Sequence, residues 1–277
     1  MHIAILDEEL PYPLTSGKRI RTYNLLSRLA GRHRLTYVCH RNADAAEAET
    51  AARHFADIGI ETVVVERSVP PKSGVGFYAR LAGNLFSPLP YSVASHLSPQ
   101  LRDAMSRCKD VDLWHCEWTP YAEYLRGHTA TPWIVVAHNV ESLIWQRYAE
   151  NETNPAKRWY IRRQWHKFWN FERWAYSSAT RTVAVSPDDA RLIQGEFAGR
   201  NVDVVDNGVD THYFQPTDSL REPRTILFLG SLDWRPNQDG VRQLLETVFP
   251  LVRRHEPDAK LLIVGRNPPD WLRQQAG

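Results

Sequence analysis

Two apolar runs in this chain end in side chains that can handle protons. Trp133-Ile134-Val135-Val136-Ala137 runs into His138-Asn139-Val140-Glu141, and Asp112-Leu113-Trp114 runs into His115-Cys116-Glu117-Trp118. Neutral imidazole beside carboxylate can give or take a proton near neutral pH. A histidine at such a place can equally brace the next helix, and the run alone leaves both roles open. Further upstream, Pro11-Tyr12-Pro13-Leu14-Thr15-Ser16-Gly17-Lys18-Arg19 leads into a helical pattern with Ile20, Tyr23, Leu26 and Ala30 on one face. Free backbone N–H groups at a helix start favour an anion, Gly17 allows close backbone approach, and Lys18, Arg19 and Arg21 add positive charge. An ordinary solvated helix start has the same composition. A metal held by His115, Cys116, Glu117 and His138 is disfavoured, because adjacent strand residues face opposite ways and no ligand spacing supports it.

Positioning these groups needs strands that end together. Val135-Val136 and its neighbours show no polar alternation, as expected of a strand buried on both faces of a parallel sheet. Strand candidates recur at His2–Leu6, Leu35–Cys39, Ile60–Val65, Val111–His115, Trp133–Ala137, Arg181–Val185 and Asn201–Val205. Helical patterns lie between them, among them Ala43–Asp57, Pro99–Lys109 and Pro187–Glu196. This alternation predicts an α/β fold of βαβ units with a mostly parallel sheet. In such sheets ligands sit beyond the carboxyl ends of the strands, where His115, Glu117, His138 and Glu141 are expected. Between 68 and 98 lies a Pro- and Gly-punctuated insertion carrying Phe77, Tyr78 and Phe86 on a short helix. It reads as a packed surface helix or as the lip of a substrate cleft.

The chain has 277 residues, 43% apolar, with a net charge of +2, which suits two α/β domains and demands no nucleic acid. Cys39, Cys108 and Cys116 are far apart, without C-x-x-C spacing, which favours a reducing compartment over a disulfide framework. The start is too short and acidic for a signal peptide, and no run spans a bilayer, so a cytoplasmic protein is expected. The absence of G-x-G-x-x-G argues against a nicotinamide dehydrogenase, and that of G-x-S-x-G against an α/β hydrolase. Ala156–Ser177 interleaves Lys157, Arg158, Arg162, Arg163 and Lys167 with tryptophans. That pattern fits a helix meeting an anionic membrane surface, or a core-facing helix with a solvated back.

Val204-Val205-Asp206-Asn207-Gly208-Val209-Asp210 is a strand end running into a turn, and a polar stretch, Thr217–Arg224, precedes a new strand at Thr225–Leu229. The expected boundaries are 1–205 for the first domain, 206–224 for a linker and 225–277 for the opening of a second. Asn-Gly-Val-Asp followed by an aromatic and Pro resembles the interdomain segment of family 4 glycosyltransferases of the GT-B fold. Phe228-Leu229-Gly230-Ser231-Leu232 and Leu262-Ile263-Val264-Gly265 are similar to the first strand ends of their donor domain. Asp7-Glu8-Glu9-Leu10-Pro11-Tyr12-Pro13 with Ser16-Gly17-Lys18-Arg19-Ile20-Arg21 looks like the first loop of a bacterial, exopolysaccharide-associated subgroup.

The resemblance implies sugar transfer from a nucleotide diphosphate sugar to a glycan or lipid-linked acceptor, with retention at the anomeric carbon and no obligatory metal or other cofactor. It places His138 opposite the donor sugar as the catalytic-site histidine, and Gly17, with Lys18, near the donor diphosphate. Arg21, His115, Glu117, Asn139 and Glu141 become cleft or acceptor residues. Two departures stand out. Ser231 and Asp239 occupy places where the family carries cations, leaving Arg235 as the donor-phosphate candidate. No pair of Glu residues has the family's Glu-x7-Glu spacing. The expectation is therefore a GT-B N-terminal domain with an incomplete donor domain, weak or inactive as an enzyme by itself. A non-catalytic acceptor-binding or partner-binding domain is the alternative.

Overall fold

The computed structural model describes residues 1–66, 70, 73–127, 130–216 and 222–275. Parts of the expected insertion (68, 69, 71 and 72), of the linker (217–221) and of the opening of the second domain (276 and 277) lie outside the described residues, as do 67, 128 and 129. The chain forms two compact units, Met1–Gly208 and Val209–Gly277.

In the first unit, β1 (His2–Asp7), β2 (Arg34–His40), β3 (Glu61–Val65), β4 (Leu113–Cys116), β5 (Trp133–Ala137), β6 (Arg181–Ala184) and β7 (Val202–Val204) make one sheet in the order β3-β2-β1-β4-β5-β6-β7. Every neighbouring pair is parallel. The order reverses between β1 and β4, so the switch point of the sheet lies beside the carboxyl ends of those strands. Alternation along β1 explains its complete burial. Ile3 and Ile5 enter one apolar core with Leu26, Leu35, Tyr37 and Phe55. Ala4 and Leu6 enter the other, with Trp114, Val135, Phe168 and Tyr176.

Helices cover both faces. α1 (Gly17–Ala30) is capped by Ser16, whose hydroxyl accepts from the Arg19 N–H, and α2 (Ala45–Asp57) by Asp44. α3 (Gly74–Asn84) and α4 (Tyr91–Ala94) form the insertion, and α5 (Pro99–Arg107) returns to the sheet. Phe77 packs edge-on against Tyr91, while Tyr78 and Phe86 are exposed. A 3₁₀ helix, Thr119–Leu125, follows β4. α6 (Glu141–Asn151), α7 (Pro155–Ser178) and α8 (Pro187–Glu196) complete the unit. The stretch expected as a strand at Val111–His115 is displaced to Leu113–Cys116. Asp112 instead turns the chain into β4, accepting the His2 N–H on its carboxylate at 2.7 Å while its own N–H donates to the His2 carbonyl.

α7 buries Ile161, Gln164, Phe168, Phe171, Glu172, Ala175 and Tyr176, and leaves Lys157, Arg158, Arg162 and Arg163 exposed. Its aromatic content is therefore largely core, with Trp159 outward at 56% exposure.

The second unit contains β8 (Thr225–Leu229) and β9 (Lys260–Val264), a parallel pair, with α9 (Arg235–Gln243), a π turn (Leu244–Val248), α10 (Phe249–His255) and α11 (Asp270–Arg273). α9 begins at Arg235, with Pro236 in the first turn, where its missing N–H costs no hydrogen bond. The buried apolar cluster here is Leu232, Val241 and Leu272. Gly265 packs so close to the Gly230 carbonyl that a Cβ would lie 1.9 Å from that oxygen. No helix among the described residues is long and apolar enough to cross a membrane.

Candidate active site

The site is built on the carboxyl ends of β1, β4 and β5, which the parallel register places side by side. His115 and Glu117 are two residues apart at the end of β4, so their side chains leave on the same face. Glu117 is 2% exposed and accepts three hydrogen bonds. They come from His115 Nε2 at 2.5 Å on Oε2, and from His138 Nε2 at 3.0 Å and Thr22 Oγ1 at 2.5 Å on Oε1. Burial alone would raise this carboxyl, but the bonds and charge of His115 and His138 hold it well below the usual carboxylate range. The carboxylate is thus ionised at neutral pH and accepts only, so both histidines carry a proton on Nε2. Their Nδ1 atoms are then acceptors in the neutral rings and donors in the charged ones. Both rings keep some surface, 16% for His115 and 12% for His138.

A second group of charges lies on the β1 side. The Lys18 ammonium, from the first turn of α1, bonds Asp7 at the end of β1 and sits 5.4 Å from the Trp118 ring centre. Burial pulls its pKa down, but Asp7, Glu8 and Glu117 more than reverse this, and it ends above the ordinary lysine value. Asp7 also accepts from the Tyr37 hydroxyl at 2.7 Å. Trp118 donates its indole N–H to Glu141 at 3.2 Å. Burial raises the Glu141 carboxyl, and Trp118, Lys18 and His138 only partly offset it.

Several sequence expectations change in this setting. Lys18, expected as a phosphate ligand, is committed to Asp7 inside a cluster with four carboxylates, Asp7, Glu8, Glu117 and Glu141. An anion at the α1 start would therefore meet backbone N–H groups rather than an uncompensated lysine. Arg21, expected in the cleft, is buried and donates to the Val205 carbonyl at 2.9 Å, bracing α1 against the end of β7. Burial lowers its pKa, with Glu117 opposing. Gly17 is exposed, and a Cβ there would meet nothing within 4 Å, so no contact within the protein demands glycine. Asn139 is exposed beyond His138. Arg235 belongs to the second unit, in the first turn of α9, 3.8 Å from Asp239. Cys116 points to the opposite face of β4 from Glu117, is fully buried, and its thiol bonds the Trp118 carbonyl. Among the described residues no group of three or more His, Cys, Asp or Glu side chains is arranged to hold a metal.

Thr22 and Glu172 carry no site role in the sequence reading, and Asp7 enters it only within the first-loop resemblance. Thr22 lies one turn beyond Lys18 on α1, and that i, i+4 spacing was its available signal. Glu172, fully buried on α7, accepts the backbone N–H groups of Glu141 and Ser142 at the start of α6. Burial pushes its carboxyl up to about 7 against the pull of those bonds.

Comparison with known proteins gives the family of the chain. The family model described as Glycosyltransferase Family 4 matches residues 15–213, most of the chain. The chain belongs to glycosyltransferase family 4. A second model, Glycosyl transferases group 1, matches residues 223–277. Phosphatidyl-myo-inositol mannosyltransferase from Mycolicibacterium smegmatis is 44% identical over 99 residues, covering 34% of this chain. That from Mycobacterium tuberculosis is 41% identical over 99 residues. The matched stretch spans 25% of each mannosyltransferase, about a quarter of their length. Among solved structures, sucrose-phosphate synthase from Thermosynechococcus elongatus aligns with a TM-score of 0.56 at 14% identity, covering 98% of this chain and 72% of the other. Medicago truncatula UGT71G1, complexed with UDP-glucose, aligns with a TM-score of 0.50 at 12% identity, covering 96% and 72%. At these identities the likeness shows the fold, an α/β architecture of the GT-B type.

Proposed function

We propose that this family 4 chain takes part in transfer of a sugar, with retention, from a nucleotide diphosphate sugar to a glycan or lipid-linked acceptor in envelope or exopolysaccharide assembly. The observation that carries this reading is the trio His115–Glu117–His138 at the carboxyl end of the sheet, beside its switch point. Ionised Glu117 fixes Nε2 of His138 and leaves Nδ1 to accept from a sugar hydroxyl, or to donate to a developing negative charge once the ring is protonated. Open space over Gly17 lets a diphosphate approach the α1 N–H groups, with no catalytic metal assigned. Arg235 is the donor-phosphate candidate of the second unit. Transfer by these 277 residues alone is expected to be absent or weak, because the second unit buries little and leaves Leu227, Leu229, Leu262 and Val264 exposed.

Two further readings are tied to single observations. The exposed cations Lys157, Arg158, Arg162 and Arg163 beside Trp159 support peripheral contact with an anionic inner membrane face. The acidic balance around Lys18 instead favours an acceptor-binding module without donor chemistry. Saturation-transfer NMR with UDP- and GDP-sugars, and with free glycans, separates the two. Signals from the nucleotide sugars support the transferase, whereas signals from glycans alone support the binding module.

A further inference from the structure

α6 begins three residues after His138, and its first turn lacks the usual local cap. The N-cap position is held by Val140, a buried apolar residue with no side-chain acceptor to offer the orphan N–H groups. The other core-packed helices near the site carry their own caps: Ser16 for α1, Ser98 for α5 and Ser186 for α8. Val140 packs into the main apolar core instead.

The missing cap is supplied from another helix. Glu172, in the middle of α7, places Oε1 2.7 Å from the Glu141 nitrogen and Oε2 3.0 Å from the Ser142 nitrogen. The Tyr176 hydroxyl, one turn along α7, donates to Oε1 at 3.2 Å. One buried carboxylate therefore ties α7 to the start of α6. A local serine would close the helix equally well, but it would leave the loop free to move against α7. A cap from α7 fixes that loop in space.

We propose that Glu172 is a positioning residue for His138. By holding the N–H groups of Glu141 and Ser142 it sets the path of the His138–Glu141 turn, and so keeps the His138 ring on Glu117. It does not touch the reacting atoms. The inference rests on the functional reading of His138, but its test reads ring geometry and not sugar transfer, so either can fail without the other.

The experiment uses the 277-residue chain labelled with ¹⁵N-histidine, with the His138 ring signals assigned by their loss in His138→Gln. In the parent chain the Nε2–H proton bonded to Glu117 is expected to be downfield and protected from exchange. Glu172→Gln keeps one acceptor but turns an NH₂ group toward a backbone N–H. It should displace the His138 ring signals and speed exchange of that proton about fivefold or more, the factor that one lost helix cap confers. His54, on α2 and hydrogen-bonded to the Tyr23 hydroxyl, is the internal control and should not move. Glu172→Asp keeps the charge at shorter reach and should give a smaller displacement in the same direction; if Glu172→Gln does not fold, this variant decides. Adding Val140→Thr, a near-isosteric local cap, to Glu172→Gln should leave His138 displaced. Unchanged His138 signals in a folded Glu172 variant would overturn the proposal. So would full recovery with Val140→Thr, which would reduce Glu172 to an ordinary cap.

Discussion

Replacing Glu117 by glutamine removes the charge at the centre of the site while preserving its shape. In the parent, Oε1 holds Thr22 and His138 and Oε2 holds His115, all inside a residue that is 2% exposed. The glutamine oxygen can take over the bonds to Thr22 and His138. Its NH₂ then meets the proton on His115 Nε2, and that ring must change tautomer. One charge-assisted bond is lost and two weaken, a cost of about 2–3 kcal/mol at pH 7. Glu117→Ala, which also empties the site, should cost about 3–5 kcal/mol. The glutamine variant should melt about 4–12 °C lower.

The pH dependence distinguishes this from simple loss of packing. His115 and His138 hold the Glu117 carboxyl of the folded chain well below its ordinary value of 4.5, so its contribution is present above about that pH and is lost as pH falls through the depressed range. The gap between parent and Glu117→Gln should be full at pH 7 and narrow progressively below pH 4.5. Urea denaturation followed by near-UV circular dichroism, at pH 7 and at steps toward pH 3, measures both. A gap under about 0.5 kcal/mol at pH 7, the size of an ordinary surface substitution, would refute the reasoning. A gap of constant size across the range would refute the assignment of the charge.

Glu172 has the opposite sign: its carboxyl is raised from 4.5 to about 7, so the folded chain gains from protonation. That contribution is complete below about pH 4.5 and is lost as pH rises through 7, amounting to about 3 kcal/mol. Urea midpoints between pH 5 and 8 should therefore fall for the parent relative to Glu172→Gln, and a pH-independent difference would contradict this. Gly265→Ala should overpack against the Gly230 carbonyl and destabilise the second unit by about 1–3 kcal/mol, seen as faster hydrogen exchange in β8 and β9 with the first unit unchanged. Reversing the charge of Arg158, Arg162 and Arg163 should abolish any salt-sensitive sedimentation with acidic vesicles, at about 1 kcal/mol per residue. A parent chain that ignores such vesicles at low salt would remove the membrane reading.

The sheet was largely legible because most strands of the first unit are short apolar runs flanked by turn or cap residues, and helices with period 3.6 separate them. Its spatial order was not, since the reversal between β1 and β4 depends on pairing Ile3 with Leu113 across more than a hundred residues. In the site, the two-residue spacing of His115 and Glu117 put both on one face, and strand ends marked His138. What the sequence could not show was which groups compensate one another. Lys18 reads as a free cation until Asp7 is seen beside it, and Arg21 reads as a cleft residue until Val205 is seen to take its N–H. The α7 tryptophans leave an interfacial stripe and a core-facing helix both open, because composition does not say which helical face a sheet will cover. Glu172 left only a negative trace, an apolar residue where α6 should have its cap.

The central claim is that His138, oriented by Glu117, faces the sugar of a nucleotide diphosphate donor. The most direct measurement is a titration of the ¹⁵N-histidine-labelled chain with UDP- and GDP-sugars to millimolar concentration, following the eleven histidines of the sequence individually. Saturable movement of the His138 and His115 ring signals is expected with at least one nucleotide sugar. That movement should be absent with the matching nucleotide monophosphate, and should be lost for His115 as well in Glu117→Gln. Binding of a nucleotide sugar that leaves the His138 ring unmoved, or no binding by any of them at millimolar concentration, would contradict it.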